Sequence, residues 1–264
     1  NLLALNPMFR TPLGYEAVAP VFRTIDSADD ITRSDIAECL FDFEIDIHDQ
    51  VEAMHNHRQN LPIECQNIMT NVLALFYSET IGDSNPSKID NYSIPDYQWH
   101  KKILQVLQYE GTRKTWLLKC PSHINNMAQL IKVYPQSRII HTHRNPASVI
   151  PSCARLLKYF TDSHCKSHNF ERTLETFINT LEIGLKTTID QRESSIIEAS
   201  SIQDTYFDQL LENPISCIEE IYNYFDIPFS QDIKTNALAY LEANPRYSKG
   251  KYSCSFEEFG LAKE

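Results

Sequence analysis

Two short apolar runs separated by a helical pattern mark the central part of the chain, residues 115–152. The run at 115–118 is partly β-branched and suits a buried strand. Apolar residues then recur at helical spacing over 124–134, and the proline that follows ends this predicted helix because it restricts the residue before it. A second apolar run at 138–142 predicts another strand, and Pro146 stands at the first position of the next helix.

This order of strand, helix and strand is a crossover unit. Crossover units nearly always pair their strands in parallel, with a right-handed connection. We therefore expect the strands at 115–118 and 138–142 to pair with each other in parallel, in an α/β sheet flanked by helices. Ligands bind to such sheets at the carboxyl ends of the strands. The polar side chains predicted at those ends are Lys119, His123, His143, Arg144 and Ser152.

Most of the remaining chain shows helical spacing of its apolar positions. The predicted helices cover residues 27–60, 62–80, 97–110, 146–160, 170–190, 214–225 and 230–243. Residues 1–25 are predicted to be a helix tail followed by an irregular stretch. Residues 196–202 are a candidate strand, and 204–211 are predicted to turn into a helix with Tyr206 near its start. With 264 residues the chain is long enough for one large α/β domain.

The composition narrows the class of protein. The net charge of −11 argues against a general nucleic-acid binder or a protein that binds anionic membranes. No apolar run approaches the roughly 20 residues needed to span a bilayer, so stable membrane insertion is not expected. The seven scattered cysteines form no Cys-x-x-Cys pair, which favours free thiols in a reducing, cytoplasmic compartment. None of the six glycines forms a phosphate-binding loop of the Walker or Rossmann kind.

Arg144 and Ser152 lie across the predicted turn after the second strand and into the following helix. An arginine fork at a strand end and a hydroxyl two turns into the helix can together bind one phosphate. The start of the helix between them adds its dipole and backbone amides, and Ser148 offers a second hydroxyl closer to that start. The alternative is that Arg144 pairs with a carboxylate and Ser152 merely faces solvent.

Further polar residues could act in catalysis. His123 follows the first strand exit, where a histidine could be a general base near neutral pH, a helix cap or a satisfied polar residue. Lys119 could neutralise charge on a leaving phosphate. Glu16 lies in the irregular N-terminal stretch, where a lone acid is more often a solvated charge than a catalyst. His141 and His143 lie in the second strand, and we expect them to point to opposite faces, with one of them buried.

The two strand exits carry a longer match. The sequence closely resembles the sulfotransferases that use 3′-phosphoadenosine 5′-phosphosulfate (PAPS), in their broad bacterial-type branch. The residues that carry this resemblance are Trp116-Leu-Leu-Lys-Cys-Pro-Ser-His123 and Arg138-Ile-Ile-His-Thr-His-Arg-Asn-Pro-Ala-Ser-Val-Ile-Pro-Ser152. Further matches follow in the family's order at Leu2 to Glu16, Leu61 to Cys65, Trp99 to Gln108, Tyr206 to Leu210 and Tyr247 to Leu261. The resemblance implies a helix-rich, P-loop-like three-layer α/β fold with a central parallel sheet flanked by helices, as a single domain over 1–264.

The resemblance also implies roles for individual residues. Arg144 and Ser152 match the pair that binds the donor's 3′-phosphate, and Tyr206 matches the tyrosine that contacts the adenine. The loop that closes over the nucleotide corresponds to Lys249, Gly250 and Lys251. His123 is similar in position to the family histidine that acts as a base or transition-state stabiliser, and Glu16 is similar to an acid that is the base in some members.

The implied reaction is transfer of a sulfo group from PAPS to a hydroxyl of a small or lipid-like acceptor. It leaves 3′-phosphoadenosine 5′-phosphate (PAP) and needs no metal. The family's 5′-phosphosulfate loop is expected immediately before Asn1, so we interpret the sequence as N-terminally truncated. A catalytically inactive binding or interaction module is one alternative. A nucleotide-dependent phosphotransferase is another, although the missing Walker loop and its lysine count against it.

Overall fold

The structure is a computed structural model that describes residues 2–18, 20, 35, 61–70, 92–109, 113–164, 169–245 and 255–260. These residues belong to two compact units. Apart from Leu2, the described residues up to 133 form the first unit and those from 134 onward form the second. In the described part of the chain, each unit contains one pair of parallel strands together with several helices.

The first unit contains β1 (Phe9–Arg10), α1 (Gly14–Val18), α2 (Cys65–Thr70), α3 (Ile94–Leu107), β2 (Thr115–Trp116) and α4 (Met127–Val133). β1 and β2 pair in parallel, with Phe9 opposite Thr115. A 3-10 turn, Pro121–Asn126, leads from the exit of β2 into α4. The exit of β2 is therefore followed at once by a tight turn that carries polar side chains.

Helix α3 is positioned by its start and by its apolar face. The backbone N–H of Ser93 at the N-cap donates to the Asp96 carboxylate at 2.7 Å, and Pro95 fits the first turn because it needs no N–H partner there. The apolar face contributes to the core of the unit, which consists of Ala17, Ile63, Ile68, Ile103, Leu104 and Leu107, with Trp116 and Leu118 packed against it. This core holds β2, whose exit carries Lys119 and His123.

The second unit contains β3 (Ile139–His143), α5 (Pro146–His164), α6 (Phe170–Glu193), β4 (Ile202–Tyr206), α7 (Phe207–Glu212), α8 (Pro214–Tyr224) and α9 (Gln231–Ala243). β3 and β4 pair in parallel, from Ile139 opposite Ile202 to His143 opposite Tyr206. Both strands therefore end at the same edge of the pair, which brings together the residues that follow them. Among the described helices, none has both the length and the apolar character needed to cross a membrane.

The α/β class and the parallel direction of the strands are confirmed. The pairing partners differ from the expectation, since the strand that begins at Thr115 pairs with β1 and the strand that begins at Ile139 pairs with β4. The physical reason is that a helix between two strands does not require them to be neighbours, so each strand can pair with a strand from elsewhere in the chain.

The prediction errors concern short elements. β1 and α1 lie in the stretch predicted to be irregular, because elements of two and five residues are too short to show a period. The strand predicted at 196–202 is wrong, because Ala199–Ser201 form a 3-10 turn and β4 begins at Ile202. The helix predicted over 27–60 and most of the one over 62–80 lie outside the described residues. The longer helices α8 and α9 agree closely with their predicted ranges.

Candidate functional site

The exit of β3 leads directly into α5 through a capped turn. The Oδ1 of Asn145 accepts a hydrogen bond from the Ala147 N–H at 2.9 Å, and the Asn145 carbonyl oxygen accepts one from the Ser148 N–H at 2.9 Å. These amides of the helix start are therefore already hydrogen-bonded within the turn. Binding of an anion at this exit therefore depends more on side chains, and less on backbone amides, than the sequence pattern predicts.

The exposed residues at this exit and on the following helix include Arg144 and Ser152. The Arg144 guanidinium lies over the Phe207 ring, with Cζ 4.5 Å from the ring centroid, and it has no hydrogen-bond or ion-pair partner in the described part of the chain. Ser152, two turns into α5, is exposed too, and its hydroxyl has no partner among the same residues. The alternative in which Arg144 pairs with a carboxylate thus finds no partner there. A guanidinium held by stacking and an exposed hydroxyl are groups that bind phosphate.

The charge of Arg144 also acts on α5. Burial raises the pKa of the Cys153 thiol, and the positive charge of Arg144 partly offsets that effect. Cys153 is adjacent to Ser152 in the chain, so the charge of Arg144 acts on the turn of α5 that carries Ser152.

Tyr206 offers an exposed aromatic ring at the end of β4. It lies opposite His143 in the strand register, and the two rings stack with centroids 5.1 Å apart and planes at 27°. Tyr206 remains 51% exposed. A ring that is held on one side by stacking and open on the other is a flat surface on which a nucleobase can lie.

A hydrogen-bonded network supports this stack. Asp204 accepts two hydrogen bonds from Arg192, of 2.8 Å to Oδ1 and 2.7 Å to Oδ2, and its Oδ1 lies 2.6 Å from His143 Nε2. The hydrogen bonds from Arg192 hold the pKa of Asp204 well below its usual range, and His143 adds to that effect. Arg192 belongs to α6 and Asp204 to β4. The network therefore ties α6 to both strands and holds the His143 ring that supports Tyr206.

His141 and His143 lie on one face of β3, with their ring centroids 4.2 Å apart. The expectation that they point to opposite faces is wrong, because side chains alternate along a strand and residues two apart return to the same side. Burial, more than any neighbouring charge, lowers the pKa of His141 to about 4. Both rings therefore face the Asp204 side of the strand pair.

His141, His143 and Asp204 are the one group of potential metal ligands in the described ranges, with ligand atoms within 4.8 Å of one another. Arg192 already binds both carboxylate oxygens of Asp204, and its Nη1 lies 3.3 Å from His141 Nδ1. A metal ion would have to displace the guanidinium and then lie beside its charge. We therefore interpret the group as an ion-pair network that supports the strand exits.

Outside the described residues lie the predicted loop residues Lys249, Gly250 and Lys251. The segment that follows them is anchored on the second unit. Arg155 of α5 donates to the Glu258 carboxylate at 2.6 Å, and the Phe259 ring packs against Phe170 of α6 with 6.2 Å between centroids. After the predicted loop the chain therefore returns to α5, the helix that carries Ser152.

In the first unit, His123 lies in the 3-10 turn after the exit of β2. Its Nδ1 is 3.0 Å from Oη of Tyr97, a fully buried residue in the first turn of α3. Burial lowers the pKa of His123 to about 4, so the ring is uncharged at neutral pH. Its Nε2 has no hydrogen-bond partner among the described residues.

The other two candidate catalytic residues both form ion pairs. Lys119 pairs with Glu64, and its side chain is 69% exposed. Glu16 pairs with Arg10 and accepts a 2.9 Å hydrogen bond from the Leu13 N–H, and only 2% of Glu16 is exposed. The interpretation of Glu16 as a solvated charge is therefore wrong, because its carboxylate belongs to a buried ion pair.

Acid should destabilise the first unit through its buried histidines. His100 is 1% exposed, and burial, with a smaller effect of nearby His123, lowers its pKa to about 3. The unfolded chain takes up a proton on His100 below about pH 6.5, whereas the folded chain does not, so stability falls as the pH is lowered through this range. We expect His100 alone to contribute a loss of about 2 kcal/mol in the free energy of unfolding between neutral pH and about pH 5.

Urea unfolding at the two pH values measures this loss. The variant His100→Gln has no group that titrates there, so its free energy of unfolding should depend less on pH by that amount. A variant with the full pH dependence of the wild type would show that His100 is not the residue responsible.

The sequence pattern did not single out Tyr97, Arg192 or Asp204. Tyr97 lies in a helical apolar pattern, and such a pattern does not distinguish a functional aromatic residue from one that only packs in the core. Arg192 and Asp204 meet because α6 leads back to β4, which no local window shows. One signal in the sequence could have identified Asp204. It precedes Tyr206 by the same spacing by which His141 precedes His143, and each histidine lies opposite one of these residues on the paired strand.

Parallel strands that alternate with helices, and whose exits carry these polar and aromatic groups, define an α/β protein. The sequence profile of the sulfotransferase family matches residues 24–231, which is more than half of the chain. The chain therefore belongs to the sulfotransferase family. The resemblance seen at the two strand exits is thereby confirmed.

Solved structures and curated relatives agree with this assignment. The sulfotransferase STF9 from Mycobacterium avium has a TM-score of 0.78 and 21% identity, covering 99% of this chain and 68% of that one. The sulfotransferase STF1 from Mycobacterium tuberculosis H37Rv has a TM-score of 0.74 and 18% identity, covering 99% and 69%. At these identities the likeness shows the fold, and the predicted fold class is confirmed.

The curated relatives are proteins named omega-hydroxy-beta-dihydromenaquinone-9 sulfotransferase Stf3. The proteins from Mycobacterium bovis and Mycobacterium tuberculosis are each 21% identical to this chain over 168 residues, 63% of its length. The chain spans 43% of the length of these curated relatives.

Proposed function

We propose that this chain transfers a sulfo group from PAPS to a hydroxyl of a small or lipid-like acceptor. The observation that carries the proposal is the exit of β3 in a member of the sulfotransferase family, where Arg144 and Ser152 are exposed and have no hydrogen-bond or ion-pair partner among the described residues. The 3′-phosphate distinguishes PAPS from ATP, and an arginine with a hydroxyl suits that group.

The donor is proposed to bind along the exits of β3 and β4. Arg144 and Ser152 bind the 3′-phosphate, and the adenine lies on the exposed face of Tyr206. Phe207 lies against Arg144, and His143 lies against Tyr206, so the guanidinium and the Tyr206 ring are each held on one side by an aromatic ring. This support favours binding because less side-chain freedom is lost when the nucleotide arrives. The loop over the nucleotide is assigned to Lys249, Gly250 and Lys251.

The proposed reaction is a displacement at sulfur. The acceptor oxygen forms a bond to sulfur while the bond between sulfur and the 5′-phosphate oxygen breaks, and PAP leaves with that electron pair. The hydroxyl proton passes to a base, and cationic or hydrogen-bond-donating groups stabilise charge on the departing oxygen. Lys119 supplies an exposed cation for the latter role, and His123 and Glu16 are the candidates for the remaining roles.

The acceptor is proposed to carry its hydroxyl on a small or lipid-like molecule. The two curated relatives are named for an omega-hydroxy dihydromenaquinone, which is a molecule of this kind. The net charge of −11 gives a polyanionic acceptor no long-range attraction to the chain. Both observations support an uncharged hydroxyl compound over a sulfated glycan.

Transfer of a labelled sulfo group tests the proposal directly. The chain is incubated with sulfur-labelled PAPS and three acceptors, namely a phenol, a long-chain alcohol and a hydroxylated isoprenoid quinone. We expect a labelled product from PAPS and none from phosphate-labelled ATP. Phosphoryl transfer from ATP would overturn the proposal. Binding of PAP without transfer to any acceptor would favour the inactive binding module.

Ser152→Ala should weaken donor binding specifically. The variant loses one hydrogen bond to a charged phosphate, so the affinity for PAP should fall about tenfold. Ser148→Ala is the comparison variant, because Ser148 is also exposed on α5 and offers the second hydroxyl, closer to the start of the helix, that could bind the phosphate instead. Calorimetric titration with PAP measures both variants. Equal affinities for the two variants would contradict the role assigned to Ser152.

A further inference from the structure

We propose that Tyr97 fixes the tautomer of His123, so that His123 presents an N–H group rather than a lone pair to the substrate. Tyr97 is therefore a positioning residue that acts through His123. The consequence for catalysis rests on the proposed sulfo transfer. The tautomer itself rests on the geometry of the two side chains in the first unit and on their relative acidity.

The phenol and the imidazole are held in contact. Tyr97 Oη lies 3.0 Å from His123 Nδ1, and the ring centroids are 5.6 Å apart. Tyr97 has no exposed surface, and Tyr92 packs edge-on against its ring with centroids 6.1 Å apart and planes at 80°. A buried ring packed in this way has no free rotamer, so the phenol oxygen stays beside Nδ1.

The direction of the hydrogen bond follows from acidity. His123 is uncharged at neutral pH, because burial lowers its pKa to about 4, so its ring carries a single N–H. A phenol with a pKa of about 10 is a far stronger donor than an uncharged imidazole N–H. Tyr97 therefore donates to Nδ1, and the ring proton of His123 lies on Nε2.

No positive charge on the neighbouring histidine disturbs this arrangement. His100 lies on α3 with Tyr97, and burial lowers its pKa to about 3, so it is uncharged at neutral pH. The pair of Tyr97 and His123 is thus a contact between uncharged groups in a buried environment. A hydrogen bond in such surroundings fixes the orientation of both side chains, because breaking it would leave a buried polar group unpaired at a cost in free energy.

An Nε2–H group limits what His123 can do. It can donate a hydrogen bond to the oxygen on which negative charge develops as the sulfur–oxygen bond to the 5′-phosphate breaks. It cannot take up the acceptor's hydroxyl proton while that N–H is in place. In the proposed reaction Glu16 is then the remaining candidate base, although its carboxylate is buried and already contacts Arg10 and the Leu13 N–H, and His123 is a transition-state stabiliser.

Nitrogen-15 NMR of the whole chain with labelled histidine reads the tautomer, because protonated and unprotonated ring nitrogens resonate far apart. The variant His123→Asn assigns the signals by their disappearance. We expect the wild type to carry its proton on Nε2. Tyr97→Phe removes only the phenol oxygen, and we expect a mixture of both tautomers. Tyr92→Phe is the matched control, because it removes a hydroxyl from the ring packed against Tyr97, and it should keep the wild-type pattern.

A proton on Nδ1 in the wild type would overturn the inference, whether or not any variant folds. An unchanged tautomer in folded Tyr97→Phe would overturn it as well. The NMR experiment uses neither donor nor acceptor, so its outcome is independent of whether the chain transfers sulfo groups.

Kinetics test the catalytic consequence once transfer is measured. Tyr97→Phe should lower kcat about tenfold and leave the KM for PAPS unchanged, because Tyr97 acts through a group at the reacting centre rather than on the donor nucleotide. A variant with a raised KM and an unchanged kcat would overturn the positioning role.

Discussion

Replacing Arg144 with alanine is expected to weaken PAP binding by about a hundredfold, since a charge-assisted arginine–phosphate pair is worth about 3 kcal/mol. The guanidinium lies over Phe207 and has no carboxylate partner in the described part of the chain, so it gives up no existing ion pair when phosphate binds. Calorimetric titration of the wild type and of Arg144→Ala with PAP measures the effect.

The other end of the same strand offers a matched control. Arg138 immediately precedes β3, is exposed, and lies over the Phe225 ring with Cζ 6.0 Å from the centroid. Arg138→Ala removes the same charge and a similar stacking contact, but at the entry of β3 instead of its exit, and should bind PAP like the wild type. Equal losses of PAP affinity in both variants would mean that the loss comes from the change in net charge and not from a contact between Arg144 and the phosphate. An unaltered affinity in Arg144→Ala would mean that the 3′-phosphate is bound elsewhere.

Glu16→Ala is expected to lower the free energy of unfolding by about 3 kcal/mol, because it leaves the guanidinium of Arg10 without its buried partner. Arg10 cannot easily turn to solvent instead. It also donates to the Leu107 carbonyl oxygen, and its Cζ lies 4.7 Å from the centroid of the Trp116 ring. The uncompensated charge therefore stays beside Leu107 and Trp116, where 25% of the Arg10 side chain is exposed. Urea unfolding at neutral pH measures the loss.

Glu64→Ala is the control for this second prediction. Glu64 also pairs with a cation, Lys119, but that pair is solvent-exposed and should contribute no more than about 1 kcal/mol. A similarly small loss for Glu16→Ala would mean that its ion pair is hydrated in solution. The variant Glu16→Gln keeps the shape of the side chain and removes its basicity. Transfer activity of folded Glu16→Gln therefore tests the proposed role as base separately from stability.

The sequence by itself determined the local chemistry of this protein. The apolar runs at 115–118 and 138–142, with the proline-marked turns after them, predicted to within two residues where the two strands end. Arg144 and Ser152 were identified because their spacing is set by one turn and one helix, which a short window contains. The family followed from the same stretch, since its motif is continuous in the chain.

The tertiary structure decided which partner each polar side chain has. His143 and Asp204 are 61 residues apart, and Tyr97 and His123 are 26 apart, yet each pair is in hydrogen-bond contact. The burial of Glu16 likewise depends on a core assembled from distant helices. Strand pairing also depends on the tertiary structure, because the paired strands β1 and β2 are more than 100 residues apart in the chain. Local periodicity reports which side of an element is apolar, but hydrogen bonds and burial depend on which elements come together in space.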